Sequence, residues 1–260
     1  MKKHLLSYWT FLILVLITIQ SCGLQPQEVP PTSTPTVTKT FTITPTPTRT
    51  STPSRTPLPT RTPNLKLTQS YEDIFSWVQK FKDDGIIPDT TGKYITLDRY
   101  TDTFAQMDWL RYDYTDVTLE HFVYAGHLEW STTIETKKTS GCGIVFALEF
   151  RETYNRYFGV ILDKSRVYFS AIDQGYYYDL GKTRGTGTLN FGNPAQADMV
   201  LLVYDHKAYV YVDDEFIGEY TLPQKKDLTG RFGFGIISGT NHGYGTRCDI
   251  TNSRIWKLDQ

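Results

Sequence analysis

Acidic side chains are the first place to look for chemistry, because cleaving a glycosidic bond takes two carboxyl groups flanking the scissile bond. The densest acidic run, Asp213-Asp214-Glu215, lies between two apolar stretches. Asp tolerates the backbone conformations of tight turns, so this run reads as a hairpin turn. Glu149 and Glu152 flank Phe150 and Arg151. Glu149 and Arg151 are two apart, hence on one face of a strand, and read as an ion pair. The histidines are His4, His121, His127, His206 and His242. None completes a Ser-His-Asp or Cys-His arrangement. His206 falls in a turn, and His121 and His127 border strands, where a hydrogen-bonded structural role is expected. Residues Gly181 to Gly192 carry glycine without the Gly-Lys-Ser/Thr of a phosphate loop. The expectation is therefore of no cofactor, no metal and, on balance, no catalysis.

Aromatic residues are the more suggestive set, with 18 Tyr and 5 Trp in 260 residues. Sugars are recognised by flat aromatic faces beside polar groups that satisfy hydroxyls. Trp109, Tyr112, Tyr114, Arg151, Tyr154, Tyr176, Tyr178 and Tyr244 are the candidate ligand-binding residues. The competing reading is ordinary packing, since Tyr favours strands. Asn241-His242-Gly243-Tyr244-Gly245 either borders such a site or is simply a long turn.

Charge narrows the partners. The chain carries 27 basic and 28 acidic side chains. Residues 1–63 hold six of the bases and a single acid, Glu28, which leaves residues 64–260 with 21 bases against 27 acids. An acidic domain without a basic run is poorly suited to phosphate backbones, so nucleic acid is not an expected partner.

The elements that must carry these residues are mostly strands. Residues 70–84 read as one helix: Ser70 as N-cap, Glu72 and Asp73 in the first turn, Ile74, Trp77, Val78 and Phe81 on one face, Gly85 at the end. Strand-like runs follow at 127–134, 143–150, 157–162, 167–172, 176–178, 199–204, 208–212, 215–220 and 233–237, and again from Cys248 to Trp256. Many short, β-branched and aromatic runs separated by turn signals predict an all-β sandwich or barrel.

The leading residues have another composition. Lys2, Lys3 and His4 precede the apolar run Phe11 to Ile19, then Gln20-Ser21-Cys22. That is the layout of a secretory signal, and the apolar run is shorter than the ~20 residues of a membrane span. Ile19-Gln20-Ser21-Cys22 resembles the bacterial lipobox, which implies a signal peptide over 1–21 and lipidation of Cys22. The lipid would make a membrane the chain's first partner and place the protein outside the cytoplasm at the cell surface. Residues 22–63 repeat Thr-Pro, as in Thr44-Pro45-Thr46-Pro47-Thr48, with almost nothing apolar to bury. Such a segment stays unfolded and extended, a stalk of at most ~130 Å at ~3.1 Å per residue. The sandwich is then expected over 64–260.

Several stretches carry a family likeness: Gly141-Cys142-Gly143-Ile144-Val145-Phe146, Tyr154-Asn155-Arg156-Tyr157-Phe158, Val210-Tyr211-Val212-Asp213-Asp214-Glu215-Phe216, Gly230-Arg231-Phe232-Gly233-Phe234-Gly235 and Cys248-Asp249-Ile250-Thr251-Asn252. Their order resembles the concanavalin A-like (laminin-G/glucanase) jelly roll, in particular bacterial 3-keto-disaccharide hydrolase-like sandwiches. Phe104-Ala105-Gln106-Met107-Asp108-Trp109 is similar to a subgroup of stalked surface lipoproteins. The resemblance covers roughly residues 95–260 and implies two antiparallel sheets. The Glu-x-Asp-x-x-Glu strand of the related glucanases is missing. In such jelly rolls the strands bearing Cys142 and Cys248 commonly neighbour each other, and an oxidising address favours a disulfide; two free thiols are the alternative. The resulting expectation is a surface lipoprotein with a non-catalytic, glycan-binding sandwich. A glycoside hydrolase-type enzyme and an envelope structural or interaction protein are the competing readings.

Overall fold

The computed structural model describes residues 65–134, 138–150, 152, 155–164, 166–173, 176–182, 192–224 and 227–259, with the backbone alone at 176–179 and 181–182. The leader, the stalk and Cys22 lie outside the described residues, as do Arg151 and Tyr154. Among the described residues one helix, α1 (Leu65–Asp83), precedes thirteen strands: β1 (Gly92–Thr96), β2 (Tyr100–Phe104), β3 (Trp109–Leu119), β4 (Phe122–Thr132), β5 (Gly141–Phe150), β6 (Asn155–Asp163), β7 (Arg166–Asp173), β8 (Tyr176–Lys182), β9 (Ala195–Tyr204), β10 (Lys207–Val212), β11 (Glu215–Thr221), β12 (Gly230–Ser238) and β13 (Thr246–Leu258). Strands β1 to β3 arise in a stretch that apolar patterning leaves unassigned. β3 alternates, but both of its faces carry polar or half-exposed side chains, so no apolar face announces it.

The strands form two antiparallel sheets, a jelly-roll sandwich. One has seven strands in the order β1-β13-β4-β9-β10-β11, with β2 also pairing β13; the other has six, β3-β12-β5-β6-β7-β8. The core between them is aromatic. Phe122 of β4 meets Phe146 of β5 at 5.7 Å, Phe146 stacks on Phe158 at 5.3 Å, and Phe169 stacks on Tyr220 at 4.5 Å. Phe122, Phe146, Phe158 and Phe169 are all fully buried, each contributing ~1.5–3 kcal/mol of transfer free energy. The core is crossed by a disulfide. Cys142 of β5 in one sheet joins Cys248 of β13 in the other, with Cα atoms 5.7 Å apart.

Helix α1 departs from the expected boundaries. It begins at Leu65, so Ser70 lies inside it and no acidic residue occupies its first turn. Ser70 Oγ instead accepts hydrogen bonds from Tyr94 Oη (3.1 Å) and Arg254 Nη1 (3.3 Å), tying the helix to β1 and β13. The C-terminus ends as the sequence predicts. Gly85 takes the left-handed conformation (φ 71°), and the amides of Gly85 and Ile86 close onto the carbonyls of Lys82 and Phe81, both at 2.9 Å. Ile74, Val78 and Phe81 are buried against Val123, Ala125, Val200, Leu202, Tyr211 and Trp256 on the outer face of the seven-stranded sheet. No helix of the described residues is long and apolar enough to cross a membrane.

Candidate functional site

The helix covers only half of that outer face. Along β4 the outward residues change from Val123 and Ala125 to His127, Glu129 and Ser131. Along β13 they change from Leu258 and Trp256 to Asp249 and Arg247, and along β9 from Leu202 and Val200 to Asp198 and Gln196. These three strands are adjacent, so the changes fall side by side. Period-two alternation puts every second residue outward. The apolar halves form the seat of α1, and the polar halves form an open cleft of about 510 Å³ lined by Glu129, Ser131, Gln196, Arg247 and Asp249 among others.

Within the cleft, register sets the pairs. Asp249 lies directly opposite Glu129, Glu129 opposite Gln196, and Arg247 opposite Ser131. Two carboxylates facing each other across a ladder repel unless compensated. Here each is. Arg99, just before β2, grips Asp249 with both Nε (2.7 Å to Oδ1) and Nη2. Thr101 adds a hydroxyl at 3.3 Å. The Arg99 hydrogen bonds hold the Asp249 carboxyl below the usual carboxylate range, against a smaller opposing effect of burial. On the other side His127 stands between Glu129 (Nε2–Oε1 3.4 Å) and Asp198 (Nδ1–Oδ1 2.8 Å).

Arg247 is held differently. Its guanidinium sits 4.8 Å from the centre of the Tyr244 ring, and Tyr244 Oη reaches Ser131 Oγ at 3.4 Å. Tyr244 is placed by a turn with left-handed glycines on both sides, Gly243 (φ 59°) and Gly245 (φ 68°). A Cβ on Gly245 would meet the Phe104 carbonyl oxygen at 2.1 Å. The turn Asn241–Gly245 thus stands next to the cleft through the contacts of Tyr244 with Arg247 and Ser131. The cleft presents two carboxylates, one guanidinium group, an amide and a hydroxyl, and Arg99 and the Tyr244 ring stand behind Asp249 and Arg247. With Arg99 counted, two guanidinium groups stand against the two carboxylates, and the arrangement can donate to and accept from a neutral, polyhydroxylated ligand. Among the described residues no group of three or more His, Cys, Asp and Glu is arranged to hold a metal ion.

The other aromatic candidates stand elsewhere. Tyr112 and Tyr114 lie on β3, in the six-stranded sheet, opposite Gly235 and Gly233. Tyr112 is half-buried against Tyr157 (4.8 Å), and its hydroxyl accepts a hydrogen bond from Asn155 Nδ2 at 2.6 Å. Burial pushes its pKa up. Tyr114 is 50% exposed, meets Phe150 edge-on at 4.8 Å and has Arg231 over its ring at 5.0 Å. Trp109, 62% exposed, starts the same strand opposite Ser238. Tyr176 and Tyr178 occupy backbone positions opposite Asp173 and Ala171, and their side chains lie outside the described residues. Beside Tyr112 the outer face of this sheet is filled rather than open. Leu110, Val145 and Ile161 converge over Gly235, where a Cβ would meet them at 3.4, 3.4 and 3.2 Å. The eight candidates are therefore divided: Tyr112 and Tyr114 belong to one sheet, Tyr244 to the cleft on the other.

The acidic residues resolve similarly. Asp213 and Asp214 both have positive φ (49° and 65°) in the β10–β11 turn, as a hairpin reading requires. Glu149 pairs with Arg156 of β6 at 2.9 Å. Sequence reasoning passed over Glu129, Ser131, Gln196, Arg247 and Asp249. Each occupies a polar position of an alternating strand, a signal that is visible in one dimension but shared by any solvated strand face.

No family model matches the sequence, and no curated protein matches it. Among solved structures the chain is similar to the carbohydrate-binding module CBM66 from Bacillus subtilis, at 11% identity over 64% of this chain and 96% of that one, with a TM-score of 0.43. It is also similar to the Bacillus licheniformis β-glucanase, at 12% identity, 55% and 69% coverage and a TM-score of 0.38. Sheep galectin-11 in complex with glycerol is matched at 12% identity, 55% and 99% coverage and a TM-score of 0.32.

Proposed function

We propose that this chain is an extracytoplasmic lipoprotein, tethered through Cys22, whose sandwich binds a neutral glycan without cleaving it. The observation that carries the reading is the cleft beyond α1, where Glu129, Ser131, Gln196, Arg247 and Asp249 converge from three adjacent strands, with Arg99 paired to Asp249 beside them. Sugar hydroxyls both donate and accept, so a site of carboxylates, guanidinium and amide can satisfy them with charge-assisted bonds. A phosphate or polyanion would meet the two carboxylates. The sheet-crossing disulfide supports an oxidising compartment.

The test is calorimetric titration of the oxidised chain with neutral oligosaccharides identified on a glycan array. Hydrogen bonds to charged groups contribute ~1.5–3 kcal/mol, so Glu129→Ala and Arg247→Ala are each expected to weaken binding roughly 10- to 100-fold. Unchanged affinity in both variants would refute this site.

One observation favours a second reading, glycoside hydrolysis. Glu129 and Asp249 are direct cross-strand partners, and two neighbouring carboxyl groups are what glycoside cleavage requires. Under that reading the bound oligosaccharide is shortened with time, and Glu129→Gln abolishes the shortening while leaving binding in place. Under the binding reading the oligosaccharide is recovered intact.

A further inference from the structure

Two more depressions lie on the same outer face as the cleft. The second, about 400 Å³, has a floor of His127, Asp198, Asn252 and Arg254 and a wall formed by Asp73 and Trp77 of α1. The third, about 590 Å³, continues along the first turns of the helix past Lys66, Gln69 and Thr96. The second and third share Asp73, Asn252 and Arg254. The first and second meet at His127, whose ring bridges Glu129 of one and Asp198 of the other.

The cause lies in how α1 seats. The helix covers the apolar half of the sheet, so its flank rises beside the polar half and makes one wall of a trough. Strand β13 runs beneath. From Arg247 to Arg254 it would extend roughly 23 Å at ~3.3 Å per residue, somewhat less across the irregularity between Thr251 and Arg254. Asn252, in the left-handed conformation (φ 51°), turns outward there and is exposed. Along the trough Asp73 faces Arg254 at 3.5 Å, Asp249 is gripped by Arg99, and the His127 ring lies between Asp198 and Glu129. Trp77 offers an aromatic edge midway, seated against Tyr211 at 4.8 Å.

We infer that the three depressions form one binding track and that its ligand is a linear, uncharged oligosaccharide laid along the flank of α1. The inference rests on the glycan reading above and adds the class of ligand: a chain of several sugar units rather than a mono- or disaccharide. The cleft of Glu129 and Arg247 holds one portion, and the helix-walled part holds the units that follow.

The experiment uses the full chain and four ladders running from disaccharide to hexasaccharide: β-1,4-glucan, β-1,3-glucan, β-1,4-xylan and β-1,4-linked N-acetylglucosamine. Affinity for the ladder that binds is expected to rise at least tenfold between the disaccharide and the plateau length. The exposed pair Lys66→Ala and Gln69→Ala, combined, is expected to cut the ratio of long-chain to disaccharide affinity severalfold. A disaccharide bound as tightly as the hexasaccharide would overturn the track and leave the cleft reading standing. A length-dependent gain that the double variant retains in full would overturn the path along the helix. Absence of binding to every ladder would overturn the track, and absence of any neutral glycan hit on the array as well would overturn the cleft reading with it.

Discussion

The disulfide offers the sharpest test of the architecture. Cys142 and Cys248 are separated by 106 residues and join one strand of each sheet. Closing a loop of that length removes denatured-state entropy corresponding to about 4.7 kcal/mol in the chain-entropy account. Both half-cystines are completely buried, so the paired replacement Cys142→Ala with Cys248→Ala leaves no polar group stranded and isolates the loss of the crosslink. For a domain of this size each kcal/mol moves Tm by ~2–4 °C, which predicts a fall of roughly 10–20 °C. The assay is thermal unfolding by circular dichroism of the oxidised chain, the reduced chain and the double variant, with thiols counted in denaturant. The reduced chain is expected to melt with the variant. Because Cys248 lies between Arg247 and Asp249 on β13, amide exchange along that strand should quicken in the same samples. Identical melting of oxidised and reduced protein, or two free thiols at Cys142 and Cys248 before reduction, would refute the reasoning.

Phe81 anchors the helix with no exposed surface, so Phe81→Ala should cost about 3–5 kcal/mol in urea unfolding. Asp249 has a native pKa below its unfolded value of ~3.9. Its pairing with Arg99 therefore stabilises the fold above that pH and is lost as pH falls through the lower native value. Wild type should exceed Arg99→Ala in stability at neutral pH, with the difference vanishing in acid, and a carboxyl NMR titration should show Asp249 rising toward its usual value in the variant. Gly245→Ala combines a positive φ with a 2.1 Å approach to backbone, so it should both destabilise the fold and weaken glycan binding by displacing Tyr244. Cys22→Ala should abolish metabolic labelling with fatty acid; a label that persists would remove the proposed anchor.

How much of this was readable from the chain depends on the range of the interaction. The C-terminus of α1 was legible because Gly85 and the apolar spacing of Ile74, Val78 and Phe81 act within a few residues. Its start was not. Ser70, with Glu72 and Asp73 after it, has the composition of an N-cap, yet Ser70 bonds Tyr94 and Arg254 from distant strands. The helix meanwhile extends back to Leu65. The turn residues Asp213 and Asp214 were legible for the same local reason as Gly85. Aromatic residue type does not say which sheet a ring joins. Tyr112 was absorbed by packing, while Tyr244 was carried to a cleft on the opposite sheet.

By itself, the order of residues determined the all-β class, the turns, the helix with its apolar face, and the change of composition at the Thr/Pro-rich segment. Along β4, β9 and β13 it also determined which residues share a face, since alternation is a property of neighbours in the chain. Only the tertiary structure decided that Glu129 would stand across from Asp249, about 120 positions later, with Arg99 gripping one and the His127 ring beside the other. Local periodicity is set by backbone geometry a few residues at a time. The adjacency of strands is set by closure of the aromatic core and by which half of the sheet the helix can cover, so the cleft exists only once both are complete.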